Sequence, residues 1–85
     1  MLKIDVTFEA GDAMTPDFAA RLAQAASRYT SRVSLKTANI ELGVDSLIGI
    51  LAMDMRRGGR VTVIAEGQDE YDAGQHICRL LQGIA

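Results

Sequence analysis

Leu2-Lys3-Ile4-Asp5-Val6-Thr7-Phe8-Glu9 alternates apolar and polar side chains with a period of two over eight residues. Successive side chains of an extended strand point to opposite faces, so Leu2, Ile4, Val6 and Phe8 share one face and Lys3, Asp5, Thr7 and Glu9 the other. The same rhythm recurs downstream. Val33 and Leu35 alternate with Arg32, Ser34 and Lys36, and Ile40, Leu42 and Val44 alternate with Glu41 and Gly43, predicting a hairpin around a tight turn at Thr37-Ala38-Asn39. Val61-Thr62-Val63-Ile64-Ala65, entered through the turn Arg56-Arg57-Gly58-Gly59, is a β-branched strand with positions 61, 63 and 65 on one face. Strands of this kind make an antiparallel sheet with one dry face and one wet one.

Between the strands lie stretches of helical spacing that can cover the dry face. Thr15-Pro16 marks a helix start, a hydroxyl cap followed by proline where its missing N–H costs nothing, with Asp17 suited to the first turn. From Phe18, residues Ala19, Leu22, Ala23 and Ala26 form an apolar face, predicting a helix to about Tyr29 whose alanines pack closely on the sheet. Ala73, Ile77, Leu80, Leu81 and Ile84 recur at steps of three and four and predict a last helix capped by Asp69. The resulting order is β-α-β-β-α-β-α. It specifies an α+β two-layer sandwich, a four-stranded antiparallel sheet with three helices on one face.

The second helix is the most function-like element. Ser46 precedes Leu47, Ile48, Ile50, Leu51 and Met53, where a cap hydroxyl would accept from free backbone N–H groups. Five large apolar residues in seven exceed what one face of two turns can bury, so part of this run is expected to remain exposed beside a hydroxyl.

The 85 residues are expected to form a single domain, 1–85, near the lower size limit for a core without disulfides or metals. A net charge of −2 gives no electrostatic case for nucleic acid, and the three arginines 56, 57 and 60 on an acidic chain do not change that. The lone Cys78 suits a reducing cytoplasm and reads as a small half-buried hydrophobe. No apolar run approaches the roughly 20 residues that span a bilayer, and no secretory signal is expected. The single His76 falls on the polar side of the last helix with no ligand-spaced Cys, His or carboxylate near it, so neither a metal nor a cofactor is expected.

Several strings resemble the HPr family of small phosphocarriers of the bacterial sugar phosphotransferase system: Ala19-Ala20, Tyr29-Thr30-Ser31, Ser46-Leu47-Ile48-Gly49, Gly58 and Ala65-Glu66-Gly67-Gln68-Asp69-Glu70. The resemblance covers essentially the whole chain and implies the HPr-like open-faced β-sandwich. In that family a histidine opening the first helix carries phosphate, and a serine opening the second helix is phosphorylated by an ATP-dependent kinase in some bacteria. The histidine position falls on Thr15, the arginine position on Asp17 and the proline position on Phe18, with Pro16 two positions early. The serine position is filled by Ser46.

A threonine hydroxyl with no general base beside it is a weak nucleophile and a poor phosphoryl leaving group, whereas imidazole, partly neutral near pH 7, is good at both. Thr15, Pro16 and Asp17 therefore read as a degenerate carrier site, and the chain as no enzyme. The resemblance implies an HPr-like regulator, similar to the catabolite-repression variants, that docks through Leu47, Ile48 and Leu51 with Arg56 and Arg57 nearby. Ser46 then reads as a cap or as a regulatory phosphorylation site. The implied partners are proteins: an HPr kinase, a transcriptional regulator or a phosphotransferase-system component, with neither nucleic acid nor membrane. The alternatives are a phosphocarrier using an unusual site, and a structural module that forms a homo-oligomer through the apolar patch.

Overall fold

Strand β1 (Leu2–Thr7) pairs antiparallel with β4 (Arg60–Glu66), Ile4 opposite Val63 and Val6 opposite Val61. These facts come from a computed structural model that describes residues 1–38 and 40–84. Asn39, part of the expected hairpin turn, lies outside the described residues, as do Ala85 and the side chain of Leu47. On its other edge β4 pairs antiparallel with β2 (Arg32–Lys36), and β2 with β3 (Glu41–Gly43), giving the order β1-β4-β2-β3. The expected hairpin is thus β2-β3, closed by the Thr37 N–H donating to the Ile40 carbonyl at 2.8 Å.

The period of two sorts the sheet as expected. Val6, Phe8, Val33, Leu35, Val61, Val63 and Ala65 are buried on the helical side. Lys3, Asp5, Arg32 and Lys36 remain exposed on the other, where the Thr62 hydroxyl donates to Asp5 at 2.6 Å. Ile64 is the exception, buried at the centre of the open face between Lys3 and Ser34 in the register.

Helices α1 (Pro16–Ala26), α2 (Leu47–Ala52) and α3 (Glu70–Leu81) cover the dry face. Leu22 of α1, Ile50 of α2 and Ile77 and Leu81 of α3 are fully buried against Phe8, Leu35 and Val63. Burying a side chain of this size stabilises the fold by about 1.5–3 kcal/mol before conformational entropy is counted. Phe18 adds an edge-to-face contact with Phe8, ring centroids 5.8 Å apart, which fixes the start of α1 on the core.

Three expectations are corrected by the packing. The alanines of α1 bring it against α2 and α3, and the closest helix approach to the sheet belongs to α3. There Gly74 lies so near β1 that a Cβ would stand 2.6 Å from Leu2 Cδ2. Helix α1 ends at Ala26, because the Arg28 and Tyr29 N–H groups reach back only to the Ala25 and Ala26 carbonyls in a tighter turn. Ile84 is no core residue: α3 stops at Leu81, Gly83 takes φ +77°, and Ile84 is left exposed. Among the described residues no helix is long and apolar enough to cross a membrane.

Candidate functional site

The loop from Phe8 to Thr15 and the segment leaving α2 are stitched backbone to backbone. The Met14 N–H donates to the Met55 carbonyl at 2.9 Å, the Arg57 N–H to the Asp12 carbonyl at 2.9 Å and the Gly58 N–H to the Phe8 carbonyl at 2.9 Å. A bridge between Ala13 and Arg56 completes the pairing. The start of α1 and the end of α2 are thereby held side by side, so Thr15 and the 46–57 segment belong to one region of the surface. Asp12 pairs with Arg57 at 3.4 Å and Asp54 with Arg56 at 3.4 Å; both pairs are exposed and screened by water.

At the start of α1, the Thr15 hydroxyl oxygen accepts the Phe18 N–H at 3.1 Å, the capping bond that the sequence implied. Pro16 follows in the first turn and Asp17 is exposed there. No imidazole lies at this end of the helix. His76, the chain's single histidine, sits on α3 beside Tyr29, which lies just past the other end of α1, and α1 itself is about 16 Å long at 1.5 Å per residue.

Helix α2 divides its apolar run between core and water. Ile50 is 0% exposed, whereas Ile48 is 85% and Leu51 39% exposed. Ser46 is exposed at the N-cap position with φ −91° and ψ 82°, away from the extended backbone usual for a cap, and its hydroxyl makes no capping hydrogen bond. That corrects the expected cap. The Ser46 backbone still serves the helix, its carbonyl accepting from the Ile50 N–H at 2.8 Å. Gly49 lies under the serine: a Cβ there would meet Ser46 Oγ and Leu42 Cδ1, each at 2.9 Å. The helix ends at Ala52, and Asp54, with a φ of +53°, turns the chain toward Arg56.

Two clusters escaped the sequence reading. The Asp69 side chain does not cap α3 but reaches across to the α1–β2 connection. Its carboxylate accepts from the Thr30 N–H at 3.0 Å, the Ser31 N–H at 2.9 Å and the Thr30 hydroxyl at 3.2 Å, and also from the Ser31 hydroxyl. Those bonds, the Ser31 hydroxyl first, hold the Asp69 carboxyl at about 2, below its ordinary value of 3.8. Thr30, Ser31 and Asp69 all stand in the strings carrying the resemblance, but a local reading gives a helix-start aspartate its own helix.

A depressed carboxylate stabilises the fold fully above pH 3.8 and ceases to do so as pH falls through about 2. Asp69→Asn is therefore expected to lower the melting temperature at pH 7 and to flatten its decline between pH 4 and pH 2, followed by circular dichroism. An unchanged acid limb would exclude the clamp.

The second cluster is Tyr29 with His76. The phenol oxygen lies 3.0 Å from His76 Nδ1 and the rings meet edge to face, so His76, on the polar side of α3 as expected, is half-buried against Tyr29. Cys78, behind it, is buried, and burial alone pushes its thiol up to about 11, which keeps it protonated and unreactive at neutral pH.

With this geometry in view, the chain's relatives are informative. Residues 3–83 match the family model described as the PTS HPr component phosphorylation site. The HPr-like protein Crh of Bacillus subtilis is 31% identical over 80 residues, 94% of this chain and 92% of that protein. The phosphocarrier protein HPr of Treponema pallidum is 38% identical over 64 residues, 75% of this chain and 73% of that one. The crystal structure of the phosphocarrier protein HPr from Bacillus anthracis superimposes with a TM-score of 0.88 over 95% of this chain and 96% of that one, at 20% identity, a likeness of fold. Strand order, helix placement and a family match along nearly the whole length agree, and the chain belongs to the HPr family of phosphotransferase-system proteins, resembling Crh.

Proposed function

We propose that this chain is a non-catalytic HPr-like regulator in the cytoplasm that docks partner proteins through the Ser46 helix and is switched by phosphorylation of Ser46. The observation that carries this reading is an uncapped, exposed serine hydroxyl next to an apolar surface of Ile48 and Leu51 that the core does not use. Arg56 and Arg57 complete the surface; the side chain of Leu47, expected with them, lies outside the described residues. A phosphoryl dianion on Ser46 would sit at the start of α2, near free backbone N–H groups, and would change the charge of that surface at once. Thr15, Pro16 and Asp17 take no phosphoryl group in this scheme: the hydroxyl of Thr15 is engaged by Phe18 N–H, and the Asp17 carboxylate repels an anion. The partners are an HPr kinase together with a transcriptional regulator or a phosphotransferase-system component.

Incubation with ATP and an HPr kinase is expected to add one phosphoryl group by intact mass, and Ser46→Ala to abolish it. An unmodified wild type would remove the switch and leave docking alone. A second reading, self-association through the same exposed isoleucine and leucine, would appear as a concentration-dependent mass in sedimentation that Leu51→Asp lowers to the monomer.

A further inference from the structure

We propose that the groove between α1 and α3 is a docking site for an extended acidic segment of a partner protein, with Arg21, Arg28 and Arg79 grouped around His76. Arg21 lines the groove from α1, Arg28 from the turn that follows α1 and Arg79 from α3, and His76 forms the wall common to its two halves. Leu80 lines the half with Arg21 and Arg28, and Tyr71 the half with Tyr29, so the two helices run antiparallel along the groove.

The charge here is opposite to that of the chain. The protein carries a net charge of −2, yet the half of the groove containing Arg21 and Arg28 is lined by no carboxylate. Among the described residues none of the three arginines forms an ion pair, whereas Arg56 and Arg57 each have an aspartate. All three are exposed, and Arg21 rests over the Phe18 ring, 5.9 Å from its centroid, which restrains the guanidinium on the rim. Asp72 is the one carboxylate lining the other half.

Spacing selects an extended segment over a compact anion. Arg21 and Arg28 are seven residues apart, about 10 Å at the helical rise, and Tyr71 to Leu80 spans about 13 Å. An extended chain covers that length in about four residues, enough for three carboxylates to meet the three guanidiniums. Tyr71, 65% exposed, and Tyr29 supply the rigid aromatic area that protein interfaces favour. The groove lies on α1 and α3, away from Ser46, so its test is independent of the regulatory reading.

A fluorescein-labelled peptide of six glutamates serves as the probe with the full chain. Anisotropy should report saturable binding that weakens with salt, and amide shifts should concentrate in residues 21–29 and 71–80. The triple variant Arg21→Gln, Arg28→Gln, Arg79→Gln should bind about tenfold more weakly, as the loss of three surface charge contacts implies. Arg56→Gln with Arg57→Gln should bind unchanged, and Asp72→Asn should bind more tightly. The proposal is overturned if the wild type does not bind, if the triple variant binds as well, if the shifts centre on residues 56–60, or if inorganic phosphate binds as tightly as the peptide.

Discussion

Alanine at position 67 is expected to destabilise the folded chain by about 3 kcal/mol or more. A chain of this length has about 4–13 kcal/mol of stability in total, so the urea midpoint should fall by a large fraction of its value. Two independent costs meet at that position. Gly67 has φ +150°, a conformation that L side chains rarely adopt, and its Cα lies directly against the α1–β2 connection. A Cβ there would stand 2.6 Å from Ser31 Oγ and 2.7 Å from Ser31 Cα. The hydroxyl could rotate away only by abandoning Asp69, and the Cα cannot move without dragging the backbone whose N–H groups that carboxylate holds. Gly58 separates the two costs. It has φ +87° with nothing within 4 Å of the added Cβ, so Gly58→Ala should lose only the conformational part, about 1–2 kcal/mol. Equal midpoints for the two variants in urea unfolding would mean that the contact with Ser31 contributes nothing.

The same junction marks the boundary of what the residues alone could say. Period-two patterns placed β1, β2 and β4 and their buried faces correctly, because burial on one side of a strand is written into every second residue. The partner order is not written there: β4 lies between β1 and β2, and no local signal chooses that over a meander. Asp69 was read as a cap for the helix it precedes, since its actual partners are 38 and 39 residues away. Ile84 followed the helical spacing perfectly, and only the positive φ of Gly83 takes it out of the core. At the candidate site, the excess of apolar side chains after Ser46 was evident from composition. Of the residues expected to stay outside, Ile48 and Leu51 are exposed; that Ile50 is the one turned inward is set by contacts of the six-residue α2 with α1 and β3, which no local pattern carries.

Two isoleucines of that short helix should therefore respond in opposite ways to substitution. Ile50 is fully buried with Leu22 and Leu35 in the core, so Ile50→Ala leaves a cavity and should cost about 2–5 kcal/mol, read from the urea midpoint. On the proposed switch, its folded fraction should still be phosphorylated at Ser46 with little change in KM, because no part of the proposed docking surface has been removed. Ile48, at 85% exposed, loses almost no burial when shortened, and Ile48→Ser should move stability by no more than about 0.5 kcal/mol. Combined with Leu51→Ser, however, it strips the apolar surface next to the serine while leaving the serine itself in place. An apolar anchor at the centre of an interface typically carries about 2 kcal/mol of binding. The double variant should then raise the KM for phosphorylation by an HPr kinase at least about tenfold, with the folded fraction unchanged by circular dichroism. Should the double variant be phosphorylated as readily as the wild type, the kinase would be reading Ser46 through some other surface, and the exposure of Ile48 would have to serve a different partner.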